Sequence, residues 1–130
     1  MRILYVEDNE TNRLVVRQML AAADIEVAEA EDGVVGLEMV DAGDYQLVLM
    51  DLRMPRMDGL TAIRGLRARG DDKAATPVIV VTADAGSSIR ADSLAAGADE
   101  VILKPVSMQA LFDAIGAILA RGGDGEVLVA

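Results

Sequence analysis

The stretch Leu47–Gly59 reads LVLMDLRMPRMDG, and the interpretation of the whole chain depends on it. An apolar run ends abruptly in Asp51, and a proline and an Asp-Gly pair follow shortly after. A charge at the end of a buried strand is costly unless a partner compensates for it. Asp51 therefore either caps a turn or belongs to a site that uses its charge.

Size and hydrophobicity limit the class of protein. The chain has 130 residues, which is enough for one compact domain with a core and too few for two. Its hydrophobic content of 52% excludes a disordered chain. No apolar run approaches the ~20 residues that a membrane-spanning helix needs, and the first residues do not resemble an export signal. We therefore expect a cytoplasmic protein without a membrane partner.

The residue types that are missing exclude several kinds of chemistry. There are no cysteines and no histidines, so disulfides, thiolate metal sites and imidazole-based catalysis are excluded within this sequence. The formal charge of −10 argues against direct binding of nucleic acid, which requires clustered Lys and Arg. A simpler explanation of this acidity is solubility. We expect no direct nucleic-acid partner.

Five short apolar runs recur along the chain, and segments with helical spacing separate them. Three runs are nearly continuous Val, Ile and Leu, which is typical of central parallel strands, whereas the second alternates and is expected near an edge. The alternation of strands and helices predicts an α/β fold with helices on both faces of a parallel sheet. The runs are RILYV from Arg2, IEVAEA from Ile25, QLVLM from Gln46, PVIVVTA from Pro77 and EVILK from Glu100.

Each predicted helix has a start signal. Asn9, Asp32 and Asp58 are placed to cap the first three helices, Ser87 or Ser88 the fourth, and Ser107 the fifth. Apolar spacing predicts one face of the first helix and one face of the last. The first face is Leu14, Val15, Met19 and Leu20, and the second is Leu111, Ile115, Ile118 and Leu119. The glycine-rich residues 122–130 are predicted to form a flexible tail.

Polar side chains follow the strands at the sheet edge where α/β proteins bind ligands. They are Glu7 and Asp8, Asp51, Thr82 and Lys104. Crowded carboxylates repel one another unless a cation joins them, and Mg²⁺ prefers carboxylate, water and phosphate oxygens. The absence of imidazole and thiolate ligands disfavours zinc and copper. A strand-end aspartate can also be a nucleophile that forms an acyl phosphate, with a hydroxyl and an ammonium group neutralising the transferred phosphoryl oxygens.

Each of these residues also has a purely structural interpretation. Glu7, Asp8 and Asn9 can form a helix-capping turn, and Asp51 can be a turn residue. Thr82 can be an ordinary strand residue, and Lys104 a solvated strand end. The structural interpretation then requires independent coincidences at four strand ends, so the sequence favours a site.

The ordered set of motifs resembles the receiver domain of two-component response regulators, the CheY-like superfamily, over residues 1–121. The matching elements are VEDN after the first strand, LMDLRMPRMDG around the third, VTA at the fourth and LKP at the fifth. The resemblance implies a flavodoxin-like, doubly wound (βα)5 fold. Its five-stranded parallel sheet is expected to have the strand order 2-1-3-4-5.

The resemblance also implies roles for individual residues. Asp51 is expected to be the phosphoacceptor, and Thr82 and Lys104 are expected to sense the phosphoryl group. The expected Mg²⁺ ligands are Asp8, Asp51, the backbone carbonyl of Arg53, and Glu7 through a water molecule. The Lys104–Pro105 peptide is cis in this family.

The implied function is a signalling switch, not an enzyme that turns over a free substrate. A histidine kinase or a histidine phosphotransfer protein would donate the phosphoryl group from a phosphohistidine. The phosphorylated domain would then bind a downstream protein differently through helix 4, strand 5 and helix 5. We also expect the domain to catalyse its own dephosphorylation.

Two departures from the usual pattern bear on partners and switching. The start VEDNETNR resembles receivers of hybrid histidine kinases and multi-step phosphorelays, so either a single-domain or a hybrid-kinase type fits. Met1 directly before the first strand favours a natural start, whereas the glycine-rich end equally fits a linker. Val101 stands where the family usually has Tyr or Phe, so the usual aromatic switch residue is missing.

Three rival functions remain to be compared with the receiver. A nucleotide- or flavin-binding module needs a glycine- or hydroxyl-rich phosphate loop after the first strand, which VEDNETNR does not provide. A phosphatase of the haloacid dehalogenase type normally carries a second acid two residues after the nucleophile, where this chain has Arg53. The third rival is a docking module of the same fold that is never phosphorylated.

Overall fold

The computed structural model describes residues 1–122, in which five strands alternate with five α-helices. A short 3₁₀ helix, Asp72–Ala75, precedes the fourth strand. The strands are β1 Arg2–Val6, β2 Glu26–Ala30, β3 Leu47–Asp51, β4 Val78–Thr82 and β5 Glu100–Leu103. The helices are α1 Glu10–Ala21, α2 Gly33–Ala42, α3 Gly59–Arg67, α4 Ile89–Ala96 and α5 Met108–Gly122.

The five strands form one parallel sheet in the order β2-β1-β3-β4-β5. This is the predicted flavodoxin-like topology, and the prediction is confirmed. The alternating second run is an edge strand, as expected, and β3 is the central strand, buried at all five positions. Since parallel strands end at the same edge, Asp51 and the residues after β1 and β5 meet there.

The sheet separates two cores, because successive strand residues point to opposite faces. Odd-numbered residues of β1 and β3, such as Ile3 and Leu49, pack with α1 and α5. Even-numbered residues, such as Leu4 and Met50, pack with α2, α3 and α4. This alternation therefore fixes the face of the sheet on which the side chains at the ends of β1 and β3 lie.

Side-chain caps fix where most helices begin. Asn9, Asp32 and Asp58 accept hydrogen bonds from backbone N–H groups in the first turns of α1, α2 and α3, as predicted. Ser107 accepts one from Ala110 at the start of α5. Ser88 precedes α4, but within the described chain its side chain makes no capping bond, so α4 begins with a weaker start signal than the other α-helices.

The predicted apolar face of α1 is partly wrong. Leu14 and Val15 are exposed, whereas Val16 and Leu20 are buried against the sheet and Met19 packs partly against them. The buried stripe is thus turned toward Val16, a residue that the sequence interpretation left out. The predicted face of α5 is confirmed, because its four residues pack in the same core.

The loop from β3 to α3 is held in a defined shape. Arg56 adopts a left-handed backbone with φ of 67°, which is uncommon for a residue with a side chain. Its guanidinium group donates to the carboxylate of Asp32, with Nε 2.9 Å from Oδ2. Gly59 opens α3 directly against β3, where a Cβ atom would lie 2.2 Å from the backbone oxygen of Asp51. The loop therefore holds α3 close to the strand that carries Asp51.

The strands begin at the end of the sheet opposite Asp51, and two cationic side chains hold the neighbouring segments together there. The guanidinium group of Arg67 donates to the backbone oxygens of Gly97, Ala74 and Thr76 and to the carboxylate of Asp99. Lys73 Nζ donates to three backbone oxygens around the end of α2, those of Val40, Asp41 and Gly43. We call Arg67, Lys73 and Asp99, with these partners, the anchor edge.

Two further sequence predictions concern the C-terminal tail and the absence of a membrane-spanning helix. Of the predicted flexible tail 122–130, Gly122 closes α5 and residues 123–130 lie outside the described part of the chain. No helix among the described residues is both long and apolar enough to span a membrane.

Candidate functional site

The carboxyl ends of the strands bring acidic side chains together, as the topology requires. Glu7 and Asp8 directly follow β1, and Asp51 is the last residue of β3. One carboxylate oxygen from each of the three lies within 4.8 Å of the others. Glu7 and Asp51 are buried, while Asp8 is exposed, so the cluster is open to solvent on one side.

Lys104 brings an ammonium group into this cluster from the end of β5. Its Nζ lies 2.6 Å from Glu7 Oε1 and 3.2 Å from Asp51 Oδ1. The Lys104–Pro105 peptide is cis, as the family resemblance implied. The backbone N–H of Lys104 donates to the carbonyl of Thr82, so the lysine is tied to the neighbouring strand as well.

Glu7 is surrounded by donors on both of its oxygens. Oε1 accepts hydrogen bonds from the phenol of Tyr5 at 3.1 Å and from the side-chain amide of Asn12 at 3.3 Å, and it also forms the ion pair with Lys104. Oε2 accepts the backbone N–H of Asn9 at 3.2 Å. The side chain is 1% exposed, so these donors replace the water that it would otherwise bind.

The two buried carboxylates respond to this environment in opposite ways. Burial, followed by the charge of Glu7, raises the pKa of Asp51 to about 6. Burial alone would also raise the pKa of Glu7, but hydrogen bonds from Lys104 and from the backbone of Asn9 lower it below its ordinary value. Lys104 is partly buried, which lowers its pKa, yet its partners Glu7 and Asp51 raise it above the ordinary value. Of these three groups, Asp51 is therefore the one whose charged form is destabilised.

Thr82 lies at the end of β4 beside this cluster. It is 2% exposed, and its Oγ1 accepts a hydrogen bond from the backbone N–H of Asp84 at 3.1 Å. The Asp84 carboxylate in turn pairs with the guanidinium group of Arg53, with 2.6 Å between Nη2 and Oδ2. A polar chain thus connects the Thr82 strand end to the loop that follows Asp51.

The donor set fits a hard divalent cation. Three carboxylates supply oxygen ligands with an excess of negative charge over the single ammonium group of Lys104. Asp8 is exposed, and solvent reaches the cluster there, so part of the coordination shell can be water, as Mg²⁺ prefers. The fourth predicted ligand, the backbone carbonyl of Arg53, stays a prediction.

The sequence interpretation missed Tyr5 and Asn12. Strand alternation placed Tyr5 on the same side as Glu7, and the start of α1 placed Asn12 near the end of β1. That signal was present, but a tyrosine in an apolar strand is usually a core residue. Its contact with a buried carboxylate becomes apparent only from the packed structure.

Comparison with known proteins places the chain among receivers. The response regulator receiver domain family matches residues 3–116. The response regulator MprA of Mycobacterium leprae is 40% identical over 121 residues, covering 93% of this chain and 52% of that protein. The autoinducer 2 sensor kinase/phosphatase LuxQ of Vibrio vulnificus is 36% identical over 113 residues, covering 87% of this chain and 13% of that protein.

A solved structure agrees with these sequence matches. The receiver domain of the sensor histidine kinase PA1611 from Pseudomonas aeruginosa, solved with a magnesium ion coordinated in its active-site cleft, superposes with a TM-score of 0.80. It is 33% identical, and the match covers 92% of this chain and 94% of that domain.

These matches define the class of protein. The chain spans about half the length of the curated response regulators that it matches. Receiver domains are signalling modules of two-component systems that act as phosphorylation-dependent switches and interact with histidine kinases and downstream effectors. Given the family match, the fold and the strand-end cluster, this chain belongs to the response regulator receiver domain family.

Proposed function

We propose that this receiver accepts a phosphoryl group from a phosphohistidine onto Asp51, with Mg²⁺ bound at the acidic cluster, and that this changes its partner binding. The observation that carries the proposal is the contact of a buried strand-end carboxylate with an acidic pair and a lysine. The other side chains proposed to take part are Glu7, Asp8, Thr82 and Lys104.

The proposed transfer uses Asp51 as the nucleophile. Both hydrogen bonds that the described residues give this carboxylate, from the Leu52 N–H and from Lys104, end on Oδ1, so Oδ2 keeps its lone pairs for attack. Oδ2 would bond to phosphorus while the P–N bond of the phosphohistidine breaks and the imidazole keeps the electron pair. Attack of water on the same phosphorus would later return the carboxylate and release phosphate.

The surrounding residues would stabilise the charge of the transferred group. Lys104 can donate to a phosphoryl oxygen from its position beside Asp51, and the Thr82 hydroxyl can donate from the next strand end. Asp8, Asp51, Glu7 through water, and the Arg53 carbonyl would hold Mg²⁺. Bound there, Mg²⁺ supplies positive charge to the phosphoryl oxygens.

The donor and the extent of the unit belong to the same proposal. We propose a histidine kinase or a histidine phosphotransfer protein as donor, and a receiver unit that extends from β1 to the end of α5. The unit would work in the cytoplasm, without direct contact with nucleic acid or membrane. It would be a signalling domain that catalyses its own phosphorylation and dephosphorylation, not an enzyme with a free substrate.

The proposed output surface is the face of α4, β5 and α5. Leu103 and Met108 are exposed there, and a hollow of about 220 Å³ between α4 and β5 is lined in part by Ile89, Val101 and Leu103. A valine at 101 has one stiff torsion and no long lever, so it cannot swing a ring in or out of the surface. We therefore propose a small switch, confined to the loop after Thr82 and the start of α4.

Two features of α4 support a switch at this place. Its first residue follows Ser88, which gives no side-chain cap. Within residues 1–122, the hydroxyl of Ser93 on α4 is buried without a hydrogen-bond partner, which is destabilising. Both features lower the free energy needed to move this helix when Thr82 responds to a phosphoryl group.

The test is acceptance of one phosphoryl group. Acetyl phosphate with Mg²⁺ should add one group to the wild type and to Asp113→Asn, a matched change at an exposed aspartate of α5. Asp51→Asn should gain none, as followed by intact-protein mass spectrometry. Equal labelling of Asp51→Asn would disprove the assignment of the acceptor, and an unlabelled wild type would favour the docking module instead.

A further inference from the structure

Tyr5 is a buried phenol that contacts the site from inside the sheet. It is 0% exposed, and its ring packs in the core that α1 and α5 cover. Its Oη donates to Glu7 Oε1 at 3.1 Å. A phenol ordinarily loses its proton only at about pH 10, so Tyr5 is a donor to this carboxylate at neutral pH.

The oxygen that Tyr5 contacts is shared by too many donors. Glu7 Oε1 accepts hydrogen bonds from Tyr5 at 3.1 Å and Asn12 at 3.3 Å, and it forms an ion pair with Lys104, whose Nζ lies 2.6 Å away. A carboxylate oxygen offers about two lone pairs, so the two hydrogen bonds and the ammonium group compete for the same charged oxygen. Each donor that is removed leaves the remaining ones more strongly bound to Glu7.

Removal of another donor should strengthen the contact between Lys104 and Glu7 most. Its Nζ is 0.6 Å nearer to Glu7 than to Asp51, since the two distances are 2.6 and 3.2 Å. The ammonium group is therefore divided between a carboxylate that is held in place and the proposed phosphoacceptor. A donor that satisfies Glu7 in part makes it easier for Lys104 to turn toward Asp51.

We propose that Tyr5 is a positioning residue of the phosphorylation site: its phenol competes with Lys104 for Glu7 Oε1 and so keeps the ammonium group available to the phosphoryl group on Asp51. This rests on the proposed function, because it assigns Lys104 to the phosphorylated aspartate. Tyr5 acts through Glu7 and Lys104 and does not touch the transferred group.

A matched pair of variants separates positioning from a structural role. Tyr5→Phe keeps the buried ring and removes the donor. Tyr45→Phe is the control, because the chain has two tyrosines and the second is half-buried, with its ring 4.9 Å from the guanidinium carbon of Arg2. At saturating Mg²⁺, acetyl phosphate should label Tyr5→Phe about threefold to tenfold more slowly than wild type. Tyr45→Phe should react at the wild-type rate.

The second measurement leaves Tyr5 in place. The Tyr45→Phe protein contains one tyrosine and no tryptophan, so its near-ultraviolet absorbance reports on Tyr5 alone. The protein is first saturated with Mg²⁺, and beryllofluoride, a phosphoryl mimic, is then added. If Lys104 moves from Glu7 to the mimic, Tyr5 should form a stronger bond to the charged oxygen, which shifts the phenol absorbance to longer wavelength.

The outcomes separate the role of Tyr5 from the proposed function. Fluorine NMR shows independently whether beryllofluoride binds. Binding without an absorbance shift, or an unchanged labelling rate in Tyr5→Phe, overturns the role of Tyr5 and leaves the phosphoacceptor assignment intact. A wild-type protein that binds no mimic and gains no phosphoryl group overturns the proposed function, and the role of Tyr5 with it.

Discussion

The two edges of the sheet use charge in opposite ways. At the anchor edge, the guanidinium group of Arg67 donates to three backbone oxygens and to Asp99, and these partners hold the ends of α3, α4 and β5 together. At the carboxyl edge, the carboxylates of Glu7, Asp8 and Asp51 share the ammonium group of Lys104. One edge satisfies its cations, and the other carries uncompensated negative charge.

The difference shows which edge is built for stability. Hydrogen-bonded cations on neutral carbonyls stabilise a fold with little repulsion between like charges. Crowded carboxylates destabilise it until a cation arrives, and that cost is typical of binding sites. If this comparison is right, substitutions at the two edges should change the free energy of unfolding in opposite directions.

The largest effect should come from the anchor edge. Arg67→Ala removes four hydrogen bonds and leaves three partly buried carbonyls without this donor, so the free energy of unfolding should fall by about 3 kcal/mol. Urea unfolding measures this. Arg64→Ala, at an exposed position of the same helix, is the control and should change stability by less than about 0.5 kcal/mol. Equal stability of the two variants would break the comparison.

A substitution at Asp51 should instead raise the free energy of unfolding. Without metal at pH 8, Asp51→Asn should stabilise the protein by about 2 kcal/mol, because it removes a buried carboxylate whose pKa is raised to about 6. A raised pKa means that the stability contributed by Asp51 is present at low pH and is lost as pH rises through about 6. The advantage of the variant should therefore shrink from pH 6 toward pH 5.

Urea unfolding in the presence of a metal chelator across this pH range measures the difference in the free energy of unfolding between Asp51→Asn and the wild type. Glu7, whose pKa is lowered, contributes stability that is lost at low pH, and its charge interacts with Asp51. The comparison is therefore made down to about pH 5, where Glu7 stays charged in both proteins. A variant that is less stable than wild type at pH 8 would show that Asp51 is not an uncompensated charge.

A smaller effect concerns the cation that the carboxyl edge is proposed to bind. Asp8→Asn removes one ligand and one charge, so Mg²⁺ affinity should fall more than tenfold, which corresponds to ~1.4 kcal/mol. Titration calorimetry measures the affinity. The same substitution should slightly raise the metal-free melting temperature, since partial desolvation and the neighbouring Glu7 carboxylate raise the pKa of Asp8. A lowered melting temperature would count against crowding.

The smallest effect lies at the mouth of the site. Arg53 and Asp84 pair at 2.6 Å, but the Arg53 side chain is 80% exposed, so the pair contributes little to stability. It can still hinder an attacking water, and the Arg53→Ala, Asp84→Ala double variant should lose its phosphoryl group faster, by less than about fivefold. Decay of the phosphorylated protein followed by mass spectrometry measures the rate. An unchanged rate would remove this pair from the mechanism.

The fold was predictable because several independent signals agreed. Apolar runs, helix caps at Asn9, Asp32 and Asp58, and the strand-helix alternation all required the same parallel sheet. The cluster of Glu7, Asp8, Asp51 and Lys104 was also predictable, because parallel strands end at one edge.

What the sequence did not predict depends on packing. The rotation of α1, which buries Val16 and exposes Leu14, is set by contact with the sheet and not by apolar residues alone. The hydrogen bond from Tyr5 was missed because a tyrosine in an apolar strand is usually a core residue. The hydrogen bonds of Arg67 were missed because it contacts carbonyls that are distant in the sequence, such as that of Gly97. Such contacts require the three-dimensional arrangement of several elements.

The close approach at Gly59 has a consequence for how this sequence can vary. A Cβ atom there would lie 2.2 Å from the backbone oxygen of Asp51 and 2.8 Å from the Cα atom of Leu52. Any other amino acid must push the start of α3 away from β3 and displace the backbone that carries the carboxylate. In a saturation library selected for signalling, we expect position 59 to tolerate glycine alone, while the neighbouring exposed Thr61 accepts many residues. The fitness landscape around the proposed phosphorylation site should thus be steep at a residue that has no side chain.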